Sequence, residues 1–311
     1  MSQPTHRTFG VLVTYRRPDD LDRSLDAIAS QSVRFDDLVV VDNDPSERSQ
    51  QIVERHRKRL GPTRSIDSPT NLGPAGGRSI GAREIFAKAN DTDWIVFLDD
   101  DDPLPSSDSV ERLIAAAERQ RGIDPASAGV GLRGARLDRW TGRLVPVDGR
   151  GTVRVDHLHG NFLPCYAVGA LRRVGTFDPR LFFGFEELDL GLRLRRAGYT
   201  LYADADLLAE VAAAMGASRE RSLPDLRLGI PSIRRYYSLR NLLVVLGRER
   251  MYPQAVGWAL VAGILKPMAW LVVRPSLARS HLRLNMTAIV DAIRSRLGPR
   301  TWNERAEVVE R

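Results

Sequence analysis

The chain has 311 residues, 43% of them hydrophobic, so it can bury a sizeable core and is too apolar to be disordered throughout. Its formal net charge is +7 and unevenly spread: residues 219–300 carry 15 Lys and Arg against 4 Asp and Glu, which suits phosphate on an anionic membrane or a nucleic acid, or else a solvated Arg-rich face. A lone cysteine, Cys165, excludes an intrachain disulfide and a cysteine-rich zinc site, and residues 1–8 lack the apolar core of a signal peptide, so a cytoplasmic protein is expected.

Residues 9–14 form a short apolar run that predicts a buried strand. Arg17, Pro18, Asp19 and Asp20 follow and read as a helix start, continued by Leu21, Leu25 and Ile28 at helical spacing. Residues 37–42 predict a second buried strand, and residues 47–60 a polar helix. The Gly-rich turn at 71–77 precedes a helix expected over about 78–89, and residues 94–98 predict a third buried strand. Strand–helix alternation of this kind predicts a mainly parallel sheet, whose ligands gather beyond the carboxyl ends of the strands. Thr14, Tyr15 and Arg16, then Asp42, Asn43 and Asp44, then Asp99 to Asp102 all stand at such ends, so they are expected to line one crevice.

The middle of the chain, about 129–155, alternates apolar and polar residues as antiparallel strands do, and residues 187–197 predict a helix. Beyond Asp225 the chain turns helical and basic. Residues 255–273 are apolar apart from Lys266, but Lys266 and Pro267 near the middle argue against a membrane span. Arg274, Arg279, Arg283, Arg294 and Arg296 flank apolar residues, a pattern suited to a helix lying on anionic lipid. The expected organisation is a catalytic domain over 1–225 and a helical, basic region over 226–311.

Four consecutive carboxylates, Asp99, Asp100, Asp101 and Asp102, directly after a buried strand are the sharpest chemical signal. Like charges so close destabilise a fold unless a cation sits among them, and hard divalent ions take carboxylate and phosphate oxygens alike. A solvated acidic loop is the plainer alternative. Glu186, Glu187 and Asp189, after an aromatic run and at a helix start, supply either a general base or an acidic first turn that complements the helix dipole. His157 and His159, before Gly160 and Asn161, face a substrate or a metal, or serve the core. No dinucleotide fingerprint or Gly-x-x-x-x-Gly-Lys-Ser/Thr loop occurs.

These segments, in this order and spacing over about residues 9–243, resemble the inverting family 2 glycosyltransferases of GT-A fold. The motifs are 13–18 (VTYRRP), 39–44 (VVVDND), 71–77 (NLGPAGG), 97–102 (FLDDDD), 175–178 (GTFD), 186–190 (EELDL) with Arg193, and Tyr237 with Arg240 and Asn241. Within the family the pattern is most similar to the actinobacterial galactofuranosyltransferases that begin cell-wall galactan, with rhamnosyltransferases as near relatives.

The resemblance implies an α/β, GT-A type fold, a Rossmann-like nucleotide-binding sheet plus an acceptor-binding part. It implies a UDP- or dTDP-sugar donor, a divalent metal (Mn2+ or Mg2+), a lipid-linked or cell-wall saccharide acceptor, and work at the inner face of the plasma membrane through peripheral contact, without nucleic acid. By residue, Thr14, Arg16 and Asp42 would hold the nucleoside, and Asn71 and Gly77 would lie against the nucleotide-sugar. Asp99 and Asp101 would be the Asp-x-Asp pair, with Asp100 and Asp102 as the alternative register. Glu187 stands at the catalytic base. Glu186, Asp189, His159, Gly160 and Asn161 would serve the acceptor. Many relatives complete the metal site with a His that residues 204–218 lack, so Glu210 replaces it or the metal has fewer protein ligands. A nucleotidyltransferase would need a Gly-rich phosphate loop near the N-terminus, which is missing. A nucleic-acid binder or a non-catalytic sugar-nucleotide binder are the alternatives of another class.

Overall fold

A computed structural model describes residues 6–101, 104, 106–147, 150–160, 163–214 and 233–301. Asp102 and Asn161, both expected at the site, lie outside these residues. The chain divides into two compact units. The first comprises Met1–Arg136, Val145–Asp178 and Glu187–Arg219, and the second Leu137–Leu144, Pro179–Glu186 and Glu220–Arg311.

The elements of the first unit begin β1 (Thr8–Thr14), α1 (Pro18–Ala29), β2 (Asp37–Asp42), α2 (Glu47–Leu60), β3 (Thr63–Asp67), α3 (Gly73–Phe86), β4 (Trp94–Asp99) and α4 (Ser109–Ile123). They continue with β5 (Ser127–Gly131), β6 (Gly134–Leu137), β7 (Leu144–Pro146), β8 (Thr152–Val155), β9 (His157–Leu158), β10 (Cys165–Ala167), α5 (Val168–Val174), α6 (Glu186–Arg196), β11 (Thr200–Asp204) and α7 (Ala205–Ala214). Eight strands make one sheet in the order β3-β2-β1-β4-β10-β5-β11-β8, and β7-β6-β9 form a small second sheet. In the large sheet β1, β2, β3 and β4 run parallel, while β10 is antiparallel to both its neighbours.

The apolar runs at β1, β2 and β4 are buried along almost their whole length, as strands covered on both faces must be. α1 starts on Pro18 with Asp19 and Asp20 in its first turn, and buries Leu21, Leu25 and Ile28. Ser46 caps α2 in a reciprocal pair with Ser49. β3 is an additional strand that the apolar pattern does not mark. It is an edge strand whose residues alternate between burial and exposure, and its sequence TRSID lacks an apolar run.

α3 begins at Gly73, five residues before the expected start at 78. Glycine disfavours helix, which is why the segment reads as a turn, but here small residues are required by packing. A Cβ at Gly77 would lie 2.7 Å from Val13 Cγ1, and one at Gly81 would overlap Val11 Cγ1. One face of α3 therefore lies flush on β1, and that closeness brings the next residue, Arg78, over the strand ends.

The second unit holds α8 (Ile233–Arg248), α9 (Tyr252–Trp258), a π-helical stretch (Ala259–Leu265), α10 (Lys266–Ala269) and α11 (Pro275–Ile293). Its small core is built from Tyr236, Tyr237, Leu239, Leu243, Ala288 and Ile289. Arg240 and Asn241 are fully buried in it. Arg240 donates to the Leu181 carbonyl at 2.9 Å, and Asn241 Nδ2 reaches the carbonyls of Leu181, Phe183 and Gly184 at 2.7–2.9 Å. The Arg-Asn pair thus fastens an aromatic loop in which Phe182, Gly184 and Phe185 all have positive φ, directly before α6. Among the described residues no helix is long and apolar enough to cross a membrane. The apolar stretch 255–273 is instead broken into α9, the π-helical stretch and α10.

Candidate active site

The carboxyl ends of β1, β2 and β4 lie side by side, with Thr14 in register with Asp42 and Val13 with Asp99. Thr14 Oγ1 donates to Asp100 Oδ2 at 2.8 Å. Arg17 Nη1 bridges Asp100 at 3.2 Å and Asp101 at 2.8 Å, and Ser24 of α1 donates to the Asp100 carbonyl at 2.6 Å. Asp100 is therefore a buried tie between the segments that follow β1 and β4, whereas the Asp101 side chain is 54% exposed. Asp42 is buried and accepts the Asp44 amide at 3.0 Å.

A second cluster centres on Arg78, which is 2% exposed. Its Nη2 donates to Asp99 Oδ2 at 2.6 Å and its Nη1 to Glu187 Oε1 at 2.9 Å, while the guanidinium lies 5.6 Å from the Phe177 ring centroid. One cation thus joins the last residue of β4 to the first turn of α6. Gly160 closes against this pair: a Cβ there would overlap Glu187 Oε1 and both terminal nitrogens of Arg78. His157 and His159 precede it on β9 and its end, their ring centroids 4.9 Å apart.

Burial pushes the Asp99 carboxyl up to about 6, opposed by Arg78 and reinforced by Glu187, Asp101 and Asp100. Asp100 is raised by burial too, with the Thr14 hydrogen bond and Arg17 pulling the other way. Burial lowers both histidines, His159 to about 4, where His157 and Arg133 add to the effect and Glu187 opposes it. Neutral imidazoles are the consequence at neutral pH.

The other expected site residues fall in several places. Arg16 has φ of 56° and turns outward to pair with Asp44 at 2.6 Å, while its neighbour Arg17 takes the carboxylates. Asn71 Oδ1 accepts the Gly73 amide at 2.8 Å and so opens α3, and Gly77 packs on Val13. Glu186 is buried. Asp189 is buried and bonded to Arg193 at 2.8 Å, and Arg193 also donates to the carbonyls of Val174, Gly175 and Thr176. Glu210, on α7, is ion-paired with Arg112 of α4.

In the sequence Arg17 reads only as part of a helix start, and Arg78 carries no site signal of its own. Arg17 stands one residue from the chosen Arg16, a distinction that only the backbone turn at Arg16 decides. For Arg78 the available signal was an Arg set directly after glycines that bring a helix close to a strand.

Asp99, Asp100 and Asp101 offer only carboxylate oxygens, a donor set that fits Mg2+ or Mn2+ with a diphosphate, and crowded like charges that raise Asp99 are what a divalent cation would relieve. Among the described residues the one group of three that gathers ligand atoms closely is elsewhere: Asp22 and Asp26 of α1 with His56 of α2. Arg55 and Arg59 already pair with those two aspartates, each at 2.6 Å.

The chain is similar to known glycosyltransferases in sequence and in fold. Residues 11–155 match the family described as Glycosyl transferase family 2. Galactofuranosyltransferase GlfT1 of Mycobacterium tuberculosis is 33% identical over 210 residues, covering 62% of this chain and 66% of that protein. The Mycolicibacterium smegmatis protein of the same name is 29% identical over 281 residues, covering 80% and 87%. Among solved structures, a mannosyltransferase from Pyrobaculum calidifontis in complex with GDP-Man and Mn2+ superposes with a TM-score of 0.52 at 15% identity, covering 94% of this chain and 88% of that one. Residues 1–349 of TarS from S. aureus, in complex with UDP, give a TM-score of 0.51 at 16% identity, covering 93% and 92%. These likenesses establish the GT-A fold.

Proposed function

The chain belongs to glycosyltransferase family 2 through residues 11–155, and from that premise we propose that it is an inverting, metal-dependent transferase. It would move galactofuranose from UDP-galactofuranose to a lipid-linked or cell-wall saccharide. The observation that carries this reading is the bridge Asp99–Arg78–Glu187, which joins a carboxylate at the strand ends to the first turn of α6. A base and a donor site have to be this near each other for one displacement to occur.

In this reading Thr14 and Asp42 bind the nucleoside, and Asp99, Asp100 and Asp101 face the diphosphate. A divalent cation held by Asp101 and Asp99 would supply charge neutralisation to the departing nucleotide. Glu187 accepts the proton of an acceptor hydroxyl. The freed oxygen bonds to the anomeric carbon from the face opposite the phosphate, and the carbon–phosphate-oxygen bond breaks with its electron pair leaving on the nucleoside diphosphate. Configuration inverts and no covalent enzyme intermediate forms. Arg78 holds Glu187 in place for this step through its hydrogen bond, and Gly160 leaves room beside it.

The choice of galactofuranose rests on the names of the relatives. Membrane contact rests on the second unit, where Tyr252, Val256, Leu260, Val261, Leu265, Met268, Val272 and Val273 are exposed within a stretch that also carries Lys266 and ends at Arg274. Such a surface suits peripheral attachment at the inner face of the plasma membrane, near a polyprenyl-diphosphate acceptor.

Calorimetry with UDP-galactofuranose, UDP-galactopyranose and dTDP-rhamnose, each with and without Mn2+, tests the donor. Manganese-dependent binding of UDP-galactofuranose is the expected result. Preference for dTDP-rhamnose would make the chain a rhamnosyltransferase, and binding of none by folded protein would overturn the reading.

A further inference from the structure

Arg193 stands on α6 nearly two turns beyond Glu187 and gives four hydrogen bonds. Nε donates to Asp189 Oδ2 at 2.8 Å, one turn back on the same helix. Nη1 donates to the carbonyls of Val174 at 2.8 Å and Gly175 at 3.0 Å, and Nη2 to that of Thr176 at 2.6 Å. Val174 ends α5, and Gly175, with φ of 81°, turns the chain away from it. An arginine placed there satisfies carbonyls that a helix end leaves without partners. A planar guanidinium can hold three carbonyls and a carboxylate together, which an ammonium cannot, and the buried Asp189 supplies its countercharge.

The segment that Arg193 fastens runs directly on to α3. Thr176 Oγ1 lies 2.8 Å from Ser79 Oγ, and both residues are buried. The Phe177 ring meets Phe97 of β4 edge-on at 5.0 Å and the Arg78 guanidinium at 5.6 Å. Arg78 in turn donates to Glu187. The contacts therefore close a ring: Glu187 to Arg193 along α6, Arg193 to residues 174–176, Thr176 and Phe177 to Ser79 and Arg78, and Arg78 back to Glu187. Cutting the Arg193 link leaves α6 joined to α3, within this ring, through the Arg78–Glu187 bond alone. Glu187 is then free to move with its helix.

We propose that Arg193, with Asp189 as its countercharge, is a positioning residue for sugar transfer: it fixes α6 against residues 174–177 and so sets where Glu187 stands relative to Arg78 and Asp99. This role rests on the reading of Glu187 as the base. It also draws Asp189 away from the acceptor, since that carboxylate is buried and bonded to Arg193. Moving a base by about 1 Å can cost about a hundredfold in rate while the sugar-nucleotide keeps its own contacts.

The test uses the full chain with UDP-galactofuranose, Mn2+ and octyl β-galactofuranoside as a soluble acceptor, read as released UDP. Arg193→Gln should lower kcat about tenfold to a hundredfold, with the calorimetric Kd for UDP-galactofuranose unchanged within about twofold. Arg193→Lys keeps the charge and part of the bonding, so it should recover some of that loss. Asp189→Asn should fall between the wild type and Arg193→Gln. A merely structural contact would lower the melting temperature and leave kcat per folded molecule as in the wild type, and that outcome overturns the proposal. So does a rise in acceptor KM in Asp189→Asn that Arg193→Lys does not share, which would return Asp189 to the acceptor. The guanidinium signals of Arg78 in nuclear magnetic resonance need no turnover: they should broaden in Arg193→Gln as the bonds to Asp99 and Glu187 loosen. Unchanged signals overturn the proposal. Absence of UDP release by the wild type overturns the transferase reading instead, and the Arg78 signals then decide the positioning alone. If Arg193→Gln does not fold, Arg193→Lys and Asp189→Asn carry both readouts.

Discussion

The carboxyl and amino ends of the large sheet place charge in opposite ways. At the carboxyl end Thr14 and Arg17 hold Asp100 and Asp101, and Arg78 holds Asp99 and Glu187. At the amino end Arg121 and Ser127 leave donors without partners. The first arrangement holds its carboxylates in fixed geometry before any ligand arrives, which is how electrostatic catalysis avoids reorganisation during reaction. The second lacks an acceptor from within the described residues. Each end can be tested by removing the group that distinguishes it.

The largest effect should come from Glu187→Gln. It keeps the shape and one hydrogen bond to Arg78 but cannot take a proton. Turnover of a sugar-nucleotide donor should fall about 10²–10⁴-fold with the circular dichroism spectrum unchanged. Near-normal turnover would separate the Arg78 bridge from the chemistry.

Next in size is the contrast between the two arginines. Arg78→Met removes the cation that Asp99 and Glu187 share, and breaking a buried pair in this way costs about 3–5 kcal/mol. Arg121→Met removes one donor from the Thr92 carbonyl and keeps an apolar stem on Trp94, so about 1 kcal/mol is expected. Denaturant unfolding measures both. Equal losses would mean that the two ends do not differ in how their charges are held. Gly160→Ala sits below Arg78→Met, at about 1–3 kcal/mol of strain, because the new methyl overlaps the ion pair. Its signature is a fall in turnover larger than the fall in stability predicts.

Much of the first end was legible before the fold was known. β1, β2 and β4 are uninterrupted apolar runs because both their faces are covered, and the Asp run at the end of β4 announces itself by charge. Arg78 was not legible, since its bond to Glu187 spans 109 residues and depends on how closely α3 lies on β1. β3 escaped because an edge strand needs no apolar run. The amino end was silent for a related reason: Arg121, Ser127 and Arg173 belong to three separate segments, and nothing in any one of them marks a shared cavity. In the second unit the composition of 255–273 was plain, but whether Val272 and Val273 face a core or solvent is a property of packing.

The smallest effect is a dependence of stability on pH, and it sets two residues of the carboxyl end against each other. Asp99 titrates near 6 in the folded protein and near its ordinary value when unfolded. Between about pH 4 and 6 the folded state therefore holds the extra proton, and this contribution to stability falls as pH rises. His159 is displaced the other way, to about 4, because burial disfavours its charged form. Across nearly the same window the unfolded state holds the extra proton, and this contribution rises with pH. The two oppose each other in the wild type. Asp99→Asn removes only the falling part, so its melting temperature should gain on the wild type's as pH goes from about 4.5 to 6.5. His159→Phe removes only the rising part and should lose ground over the same interval. Melting curves of the three proteins at the two pH values decide it. Differences that stay constant with pH would mean that neither Asp99 nor His159 is buried as tightly as the Arg78–Glu187–Gly160 contact requires.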